Sequence, residues 1–270
     1  MRIVRYLDGN GNIHHGAEAA DGSVTRIEGD IFGHYSDTGE AAQVEKLLAP
    51  IQPCDILCIG LNYAKHAAEG GKEPPKNPIL FMKNCGAVQN PGDPIILPKK
   101  LESTEVDYEC ELAVIIGKEC KNVSKADALD YVLGYACFND VSARDWQMTP
   151  ELGGGQWCRA KTFDTFAPLG PCIVTADEIS DPNALNIKTI LNGETMQDWG
   201  TDDMIFNVPT LIEFLSASAR LLPGTVIATG TPHGVGAART PPVFLKDGDT
   251  CTIEIEKIGQ LTNPVVDEQI

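Results

Sequence analysis

Basic residues are scarce in this chain: 21 Lys and Arg stand against 38 Asp and Glu, a formal net charge of −17 over 270 residues. A field of that sign repels phosphate backbones and anionic membrane surfaces, so neither nucleic acid nor membrane is an expected partner. No apolar run approaches bilayer-spanning length, and Met1 to Asp8 lacks the apolar segment of a secretory signal. The nine cysteines form no Cys-x-x-Cys pair, and cysteine and histidine never take zinc-site spacing. An odd, scattered set of this kind reads as reduced core thiols in a cytoplasmic protein. Internal repeats, low-complexity tracts and the Gly-Lys-Ser/Thr of a nucleotide loop are missing too. What is left is an ordinary globular composition, 43% hydrophobic and 22% charged, with enough length for a substantial core. The same negative field would repel an anionic substrate, so a site for one needs a local cation or metal.

The pattern along the chain is rich in strands. Residues 2–7, 12–18 and 23–27 read as short strands between the turn signals Gly9-Asn10-Gly11 and Asp21-Gly22. Residues 39–48 have helical spacing, closed by Pro50 and Pro53, and a boundary is placed at residue 53 between a small N-terminal β domain (1–53) and the rest (54–270). Residues 56–61 fit a buried strand, with Asn62 as cap of a helical turn at 63–69 that stops at Gly70-Gly71. That short helix and the Pro-rich 72–78 that follows have the character of a lid. Further strands are expected near 79–82, 111–117, 172–174, 188–192, 225–229 and 250–256, and helices near 125–132, 143–148 and 208–220. The fold class that results is α+β, with mixed, β-rich sheets.

Chemistry concentrates at Asp107-Tyr108-Glu109-Cys110-Glu111-Leu112-Ala113-Val114-Ile115. In a strand, 109, 111, 113 and 115 share one face, and the last two are apolar. Two carboxylates entering a buried face call for a cation, although the same acids could line the wet face of a half-exposed strand. Asp140 follows the apolar run 131–138 at a strand-to-helix junction, where it could add a third oxygen ligand or form a plain Asx turn; Ser142 is a candidate cap. Three carboxylates without Cys or His suit a hard divalent ion such as Mg²⁺ or Mn²⁺. His66 and Glu69 lie at i and i+3, so they can pair as a base oriented by an acid, or as an ordinary surface pair. Lys161, bracketed by Gly- and Pro-rich segments, is either a buried cation for an enolate or carboxylate or a plain exposed lysine. The glycines of Gly230-Thr231-Pro232-His233-Gly234-Val235-Gly236 expose backbone N–H groups suited to an anion, or make a plain tight turn.

Five segments taken together resemble the fumarylacetoacetate hydrolase (FAH) family, in its acylpyruvate or 2,4-diketo acid hydrolase-like branch. They are Gly60 to Glu69, Asp107 to Leu112, Asn139 to Asp145, Lys161 to Asp164 and Gly230 to Gly236, and the similarity extends from about residue 55 to the end. The resemblance implies a FAH-type β-roll catalytic domain, a homodimer, and Mg²⁺ or Mn²⁺ held by Glu109, Glu111 and Asp140. It also implies that His66 with Glu69 activates water while Lys161, Gln147 and Thr231 contact a small anionic 2-oxo acid. Two departures stand out: Ala160 where the family usually has Gly, and Lys65 where an acid is common. The expected reaction is hydrolytic C–C cleavage of a 2,4-diketo acid through a metal-stabilised enolate. Oxaloacetate decarboxylation, 2-oxo diacid isomerisation and a ureidoglycolate lyase-like activity share that chemistry, and a non-catalytic metal or metabolite-binding protein is the alternative of another class.

Overall fold

The computed structural model describes residues 1–270. Two large sheets carry most of the chain, and a two-stranded one pairs Val106–Asp107 with Ser142–Ala143. The larger has twelve strands, ten of them in one continuous path; in spatial order that path is Tyr35–Ala41, Val24–Gly29, Ile13–Glu18, Arg2–Leu7, Ala167–Thr175, Val132–Asn139, Cys110–Ile116, Val226–Ala228, Ile56–Gly60 and Ile79–Lys83. The smaller has five, in the order Glu194–Gly200, Asn186–Leu191, Thr250–Ile255, Gly259–Asp267 and Ile95–Leu97. The architecture is a β-rich α+β arrangement of mixed sheets with few, short helices. The N-terminal meander enters the large sheet through the antiparallel pairing of Ile3 with Ile173.

Strand Cys110–Ile116 is buried over its whole length, which its unbroken apolar run Leu112 to Ile116 requires. Its alternation separates two cores. Cys110, Leu112, Val114 and Ile116 join the larger cluster, whereas Ala113 and Ile115 join the smaller one on the other face. Each large side chain so buried contributes about 1.5–3 kcal/mol.

Register decides where the functional segments meet. Cys110 pairs with Asn139, Ala113 with Ala228, and Ala228 runs parallel to Cys58. Strand Cys110–Ile116 therefore begins at the edge of the sheet where Val132–Asn139, Val226–Ala228 and Ile56–Gly60 all end. Residues 107–109, 140–144, 229–236 and 61–69 leave the sheet side by side.

Four α-helices occur: α1 (Ala64–Glu69), α2 (Arg144–Met148), α3 (Trp157–Lys161) and α4 (Val208–Ser218). Only α4 exceeds two turns. Asn207 caps it by accepting from the Thr210 amide, and Val208, Leu211, Ile212 and Leu215 form its buried stripe. No helix is long and apolar enough to cross a membrane.

Several local expectations are corrected. Residues 39–48 are not helical: Tyr35–Ala41 and Lys46–Leu48 are strands, the second paired with the first strand of the meander through Arg5 and Leu48. Backbone pairing there overrides a marginal apolar period. The helix expected at 125–132 is a 3₁₀ turn, Ala128–Tyr131, that leads directly into strand Val132–Asn139. Asn62 does not cap α1; it is wholly buried, donates to the carbonyls of Phe206 and Thr229, and accepts from the Phe206 amide. Nor does Ser142 cap α2, because its hydroxyl donates back to the carbonyl of Asp140. Six of the nine cysteines are buried, but Cys54 and Cys158 are exposed and Cys85 is half-buried, so the core-thiol reading holds for six.

Candidate active site

Glu109, Glu111 and Asp140 converge. One carboxylate oxygen from each lies within 4.8 Å of the others, and all three residues are buried. The wet-face alternative for these acids is thereby removed. Lys161 is buried as well, and its ammonium donates to Glu109 Oε2 at 2.8 Å and to Asp140 Oδ2 at 2.6 Å. Arg144 Nη1 lies 2.7 Å from Glu109 Oε1, and Lys83 Nζ donates to Asp140 Oδ1 at 2.5 Å. Asp140 thus spends neither oxygen on an Asx turn.

The charges do not balance. Asp107, Glu109, Glu111 and Asp140 face Lys83, Arg144 and Lys161, and Glu111 is the carboxylate without a cation; the Gly230 amide at 2.8 Å is its hydrogen-bond donor. Burial, reinforced by the charges of Asp140 and Glu109, pushes the Glu111 carboxyl well above the usual carboxylate range. Burial works the same way on Glu109, but Lys161 and Arg144 outweigh it and hold that group below the range. Burial likewise opposes the charge on Lys161, and Asp140 and Glu109 more than restore it.

This donor set fits a hard divalent cation. A carboxylate has four lone-pair directions, so the bonds from Lys161, Lys83 and Arg144 leave acceptor capacity on Glu109 and Asp140. Glu111 has no ion-pair partner and burial opposes its ionisation, a cost that a bound cation would offset. Oxygen donors alone, with no sulfur or imidazole among them, match ions that prefer oxygen. The buried acidic cluster can therefore bind a divalent metal.

A cleft of about 500 Å³ opens over this floor. Of the eight residues singled out from the sequence, His66, Glu69, Glu109, Glu111, Gln147, Lys161 and Thr231 line it, and Asp140 lies beneath it with no exposure. His66 Nδ1 is 3.0 Å from Glu69 Oε2, and Glu69 Oε1 accepts from the Gly234 amide at 2.9 Å. Burial alone would raise the Glu69 carboxyl, but the bonds from His66 and Gly234 lower it. With Nδ1 facing Glu69, Nε2 is the ring nitrogen left for the cleft. Gln147 accepts from Arg144 Nη1 at 3.1 Å, which turns its NH₂ the other way.

The glycine loop does hold anions, and they are the protein's own. Gly230 binds Glu111, Gly234 binds Glu69, and Gly236 with Ala237 binds Asp107 at 2.8 and 3.0 Å. The sequence requires glycine at two of these points. Gly230 has φ +98° and a Cβ there would lie 2.7 Å from Asn62 Cβ; a Cβ at Gly236 would lie 1.9 Å from the carbonyl of Val243. Asp107 also accepts from Arg144 Nε at 2.9 Å, so it fixes both the loop and the guanidinium that reaches Glu109.

Lys83 and Arg144 are not among the residues singled out from the sequence, where Asp107 counts only as part of a possible wet acidic face. Lys83 closes a strand whose alternation puts Phe81 and Lys83 inward, Phe81 lining the cleft; that alternation was the available clue. Of the two departures, Ala160 is buried in α3, and Lys65 turns from the cleft to place its ammonium 5.3 Å from the Trp199 ring.

Residues 55–266 match the profile of the fumarylacetoacetate (FAA) hydrolase C-terminal region, and residues 1–50 match one described as Rv2993c-like, N-terminal. The chain is 51% identical over 221 residues to the mitochondrial oxaloacetate tautomerase fahd2 of Xenopus laevis, covering 82% of this chain and 68% of that protein. Among solved structures, 2-hydroxyhepta-2,4-diene-1,7-dioate isomerase from Mycobacterium marinum is 40% identical with a TM-score of 0.85, covering 100% of each chain. The 5-carboxymethyl-2-hydroxymuconate delta-isomerase from Mycobacterium smegmatis is also 40% identical, with a TM-score of 0.86 over 99% of this chain and 100% of that one.

Proposed function

We propose, from the premise that this chain belongs to the FAA hydrolase family, that it moves a proton at the carbon beside the 2-oxo group of a small dicarboxylic 2-oxo acid, interconverting enol and keto forms. The observation that carries this reading is a single cleft with a buried, partly neutralised acid cluster at its floor and a His66–Glu69 pair in its wall. The relatives named tautomerase and isomerase support it, since both names describe proton relocation without hydrolysis.

Glu109, Glu111 and Asp140 would hold Mg²⁺ or Mn²⁺, which when bound supplies Lewis-acid polarisation of the 2-oxo group. The chain's own groups supply the rest. Lys161 keeps a fixed positive charge next to the oxygen on which negative charge develops as the carbon loses its proton. Thr231 and the Gln147 amide offer neutral donors to the same end of the substrate. His66 takes the proton through Nε2 and returns it at the other site of the enol system, while Glu69 fixes the tautomer that leaves Nε2 able to accept.

Enolic oxaloacetate prepared in aprotic solvent and diluted into buffer tests this directly, by following the decay of its ultraviolet enol absorbance. The wild-type enzyme with Mg²⁺ should accelerate the decay over buffer, and EDTA treatment or His66→Ala should remove most of the acceleration. Unchanged acceleration by the chelated enzyme or by the His66 variant would overturn the reading.

A second reading is favoured by one observation. A cleft of 500 Å³ lies within the range that encloses drug-sized ligands and exceeds what a four-carbon acid fills. In that reading the substrate is a longer 2,4-dioxo acid, and His66 takes a proton from water that attacks its distal carbonyl; cleavage of the bond between that carbonyl carbon and C3 yields a carboxylic acid and expels the enolate of pyruvate, which is then protonated. Pyruvate release from an acylpyruvate distinguishes the two.

A further inference from the structure

We infer that Gln197 is a positioning residue that makes Thr231 a hydrogen-bond donor toward the substrate; this rests on the reading above, in which Thr231 faces the 2-oxo acid. Gln197 lies on strand Glu194–Gly200, far in sequence from the other site segments. A bulge puts it there: Thr189 pairs with Gln197 but Ile190 pairs with Thr195, so Met196 is an extra residue. Both Met196 and Gln197 are buried in consequence, at 7% and 1% exposure, where a regular strand would alternate.

The amide orientation follows from its partners. Gln197 Oε1 lies 3.0 Å from the Cys110 amide, which can only donate, so that atom must be the oxygen. The Thr189 hydroxyl donates to the same oxygen at 2.7 Å. Nε2 is therefore on the other side, donating to the Pro232 carbonyl at 2.8 Å and to Thr231 Oγ1 at 2.8 Å. Pro232 O accepts only, which fixes the same assignment independently.

The consequence lies at Thr231. Its hydroxyl oxygen accepts from Gln197, and the hydroxyl proton has no acceptor in the protein. Thr231 is 4% exposed and lines the cleft, so the proton's remaining direction is toward the ligand. A threonine free to rotate could accept or donate; this one is held as a donor to an oxygen gaining negative charge. The Cys110 amide that orients Gln197 belongs to the peptide linking Glu109 to Cys110, so one side-chain amide aligns the acid strand with the glycine loop.

The test is a double-mutant cycle on the full-length enzyme, with kcat and KM for enol–keto conversion and, independently, oxalate affinity by calorimetry with Mg²⁺ present. Thr231→Val and Gln197→Glu should each lower kcat on the order of 10²-fold with KM changed much less, because a carboxylate at 197 draws the Thr231 proton away from the cleft. In the Thr231→Val background, Gln197→Glu should add less than about 3-fold. Equal loss from Gln197→Glu in both backgrounds would overturn the inference, since a purely structural role does not depend on the hydroxyl. If Gln197→Glu does not fold, Gln197→Met enters the same cycle, with the same two outcomes. If the wild type turns over no 2-oxo acid, the functional reading fails, while coupled losses of oxalate affinity would still support the Gln197–Thr231 link and uncoupled ones would refute it.

Discussion

The floor of the cleft and its wall are built on opposite terms. At the floor, Glu109, Glu111, Asp140, Lys83 and Lys161 are all buried; Glu111 and Lys83 lie on strands, Glu109 and Asp140 adjoin strand ends, and Lys161 closes α3. In the wall, α1 has six residues, no side-chain N-cap and one buried residue, Ala67. It is fastened through Glu69 to the Gly234 amide, through the Lys65 amide to Asp203, and through Asn62 at its entrance. A helix this short has no stability of its own, so these few contacts hold it. The difference separates two tasks. Charge is pre-set where it cannot relax, and the His66–Glu69 pair, to which we assign the proton transfer, is carried on an element held by few contacts.

Breaking the floor should have the largest effect. Lys161→Met leaves Glu109 and Asp140 short of a shared cation, a change that costs about 3–5 kcal/mol when one partner of a buried pair is removed. Chemical denaturation should show that loss, and turnover should fall by at least about 10²-fold even where the protein is folded. Breaking the wall should separate activity from stability. His66→Ala should lower kcat roughly 10²- to 10⁴-fold, with a midpoint of thermal unfolding close to wild type; a large drop in that midpoint would show that α1 belongs to the rigid part.

The smallest effect sharpens the comparison through pH. The Glu69 carboxyl is held below its ordinary value in the fold, so its contribution to the wall is complete above the ordinary carboxylate pKa and is lost as pH falls through the lowered one. Hydrogen-exchange protection of residues 64–72 should therefore decline in acid in the wild type, and start lower and vary less in Glu69→Gln. Turnover in that variant should fall roughly 10-fold, the scale of one charge-assisted hydrogen bond. Identical protection profiles would mean that the Glu69–Gly234 contact does not hold the helix.

How much of this was readable from the sequence follows the same division. The buried acids could be found because strand alternation puts 109 and 111 on the face of Ala113 and Ile115, and the apolar run before Asp140 marks a strand end. Pairing of His66 with Glu69 follows from helical spacing. Lys83, Arg144 and Gln197 were not readable in the same way, because each meets the site across a register or a bulge. Lys83 reaches Asp140 from 57 residues away, and Gln197 depends on the extra residue at Met196. The misread helix at 39–48 has a related cause: Tyr35–Ala41 pairs with the strand before it and Lys46–Leu48 with the first strand of the meander, cross-strand pairings that a local period cannot reveal.

The most direct test of the central claim, a divalent ion held by Glu109, Glu111 and Asp140 next to a chelating 2-oxo acid, is anomalous diffraction at the manganese edge from crystals grown with Mn²⁺ and oxalate. The account predicts a peak bounded by those three carboxylates, with oxalate on its cleft side, and its loss in Glu111→Gln. A strong manganese peak elsewhere with none among the three acids, or oxalate bound away from them, would contradict it.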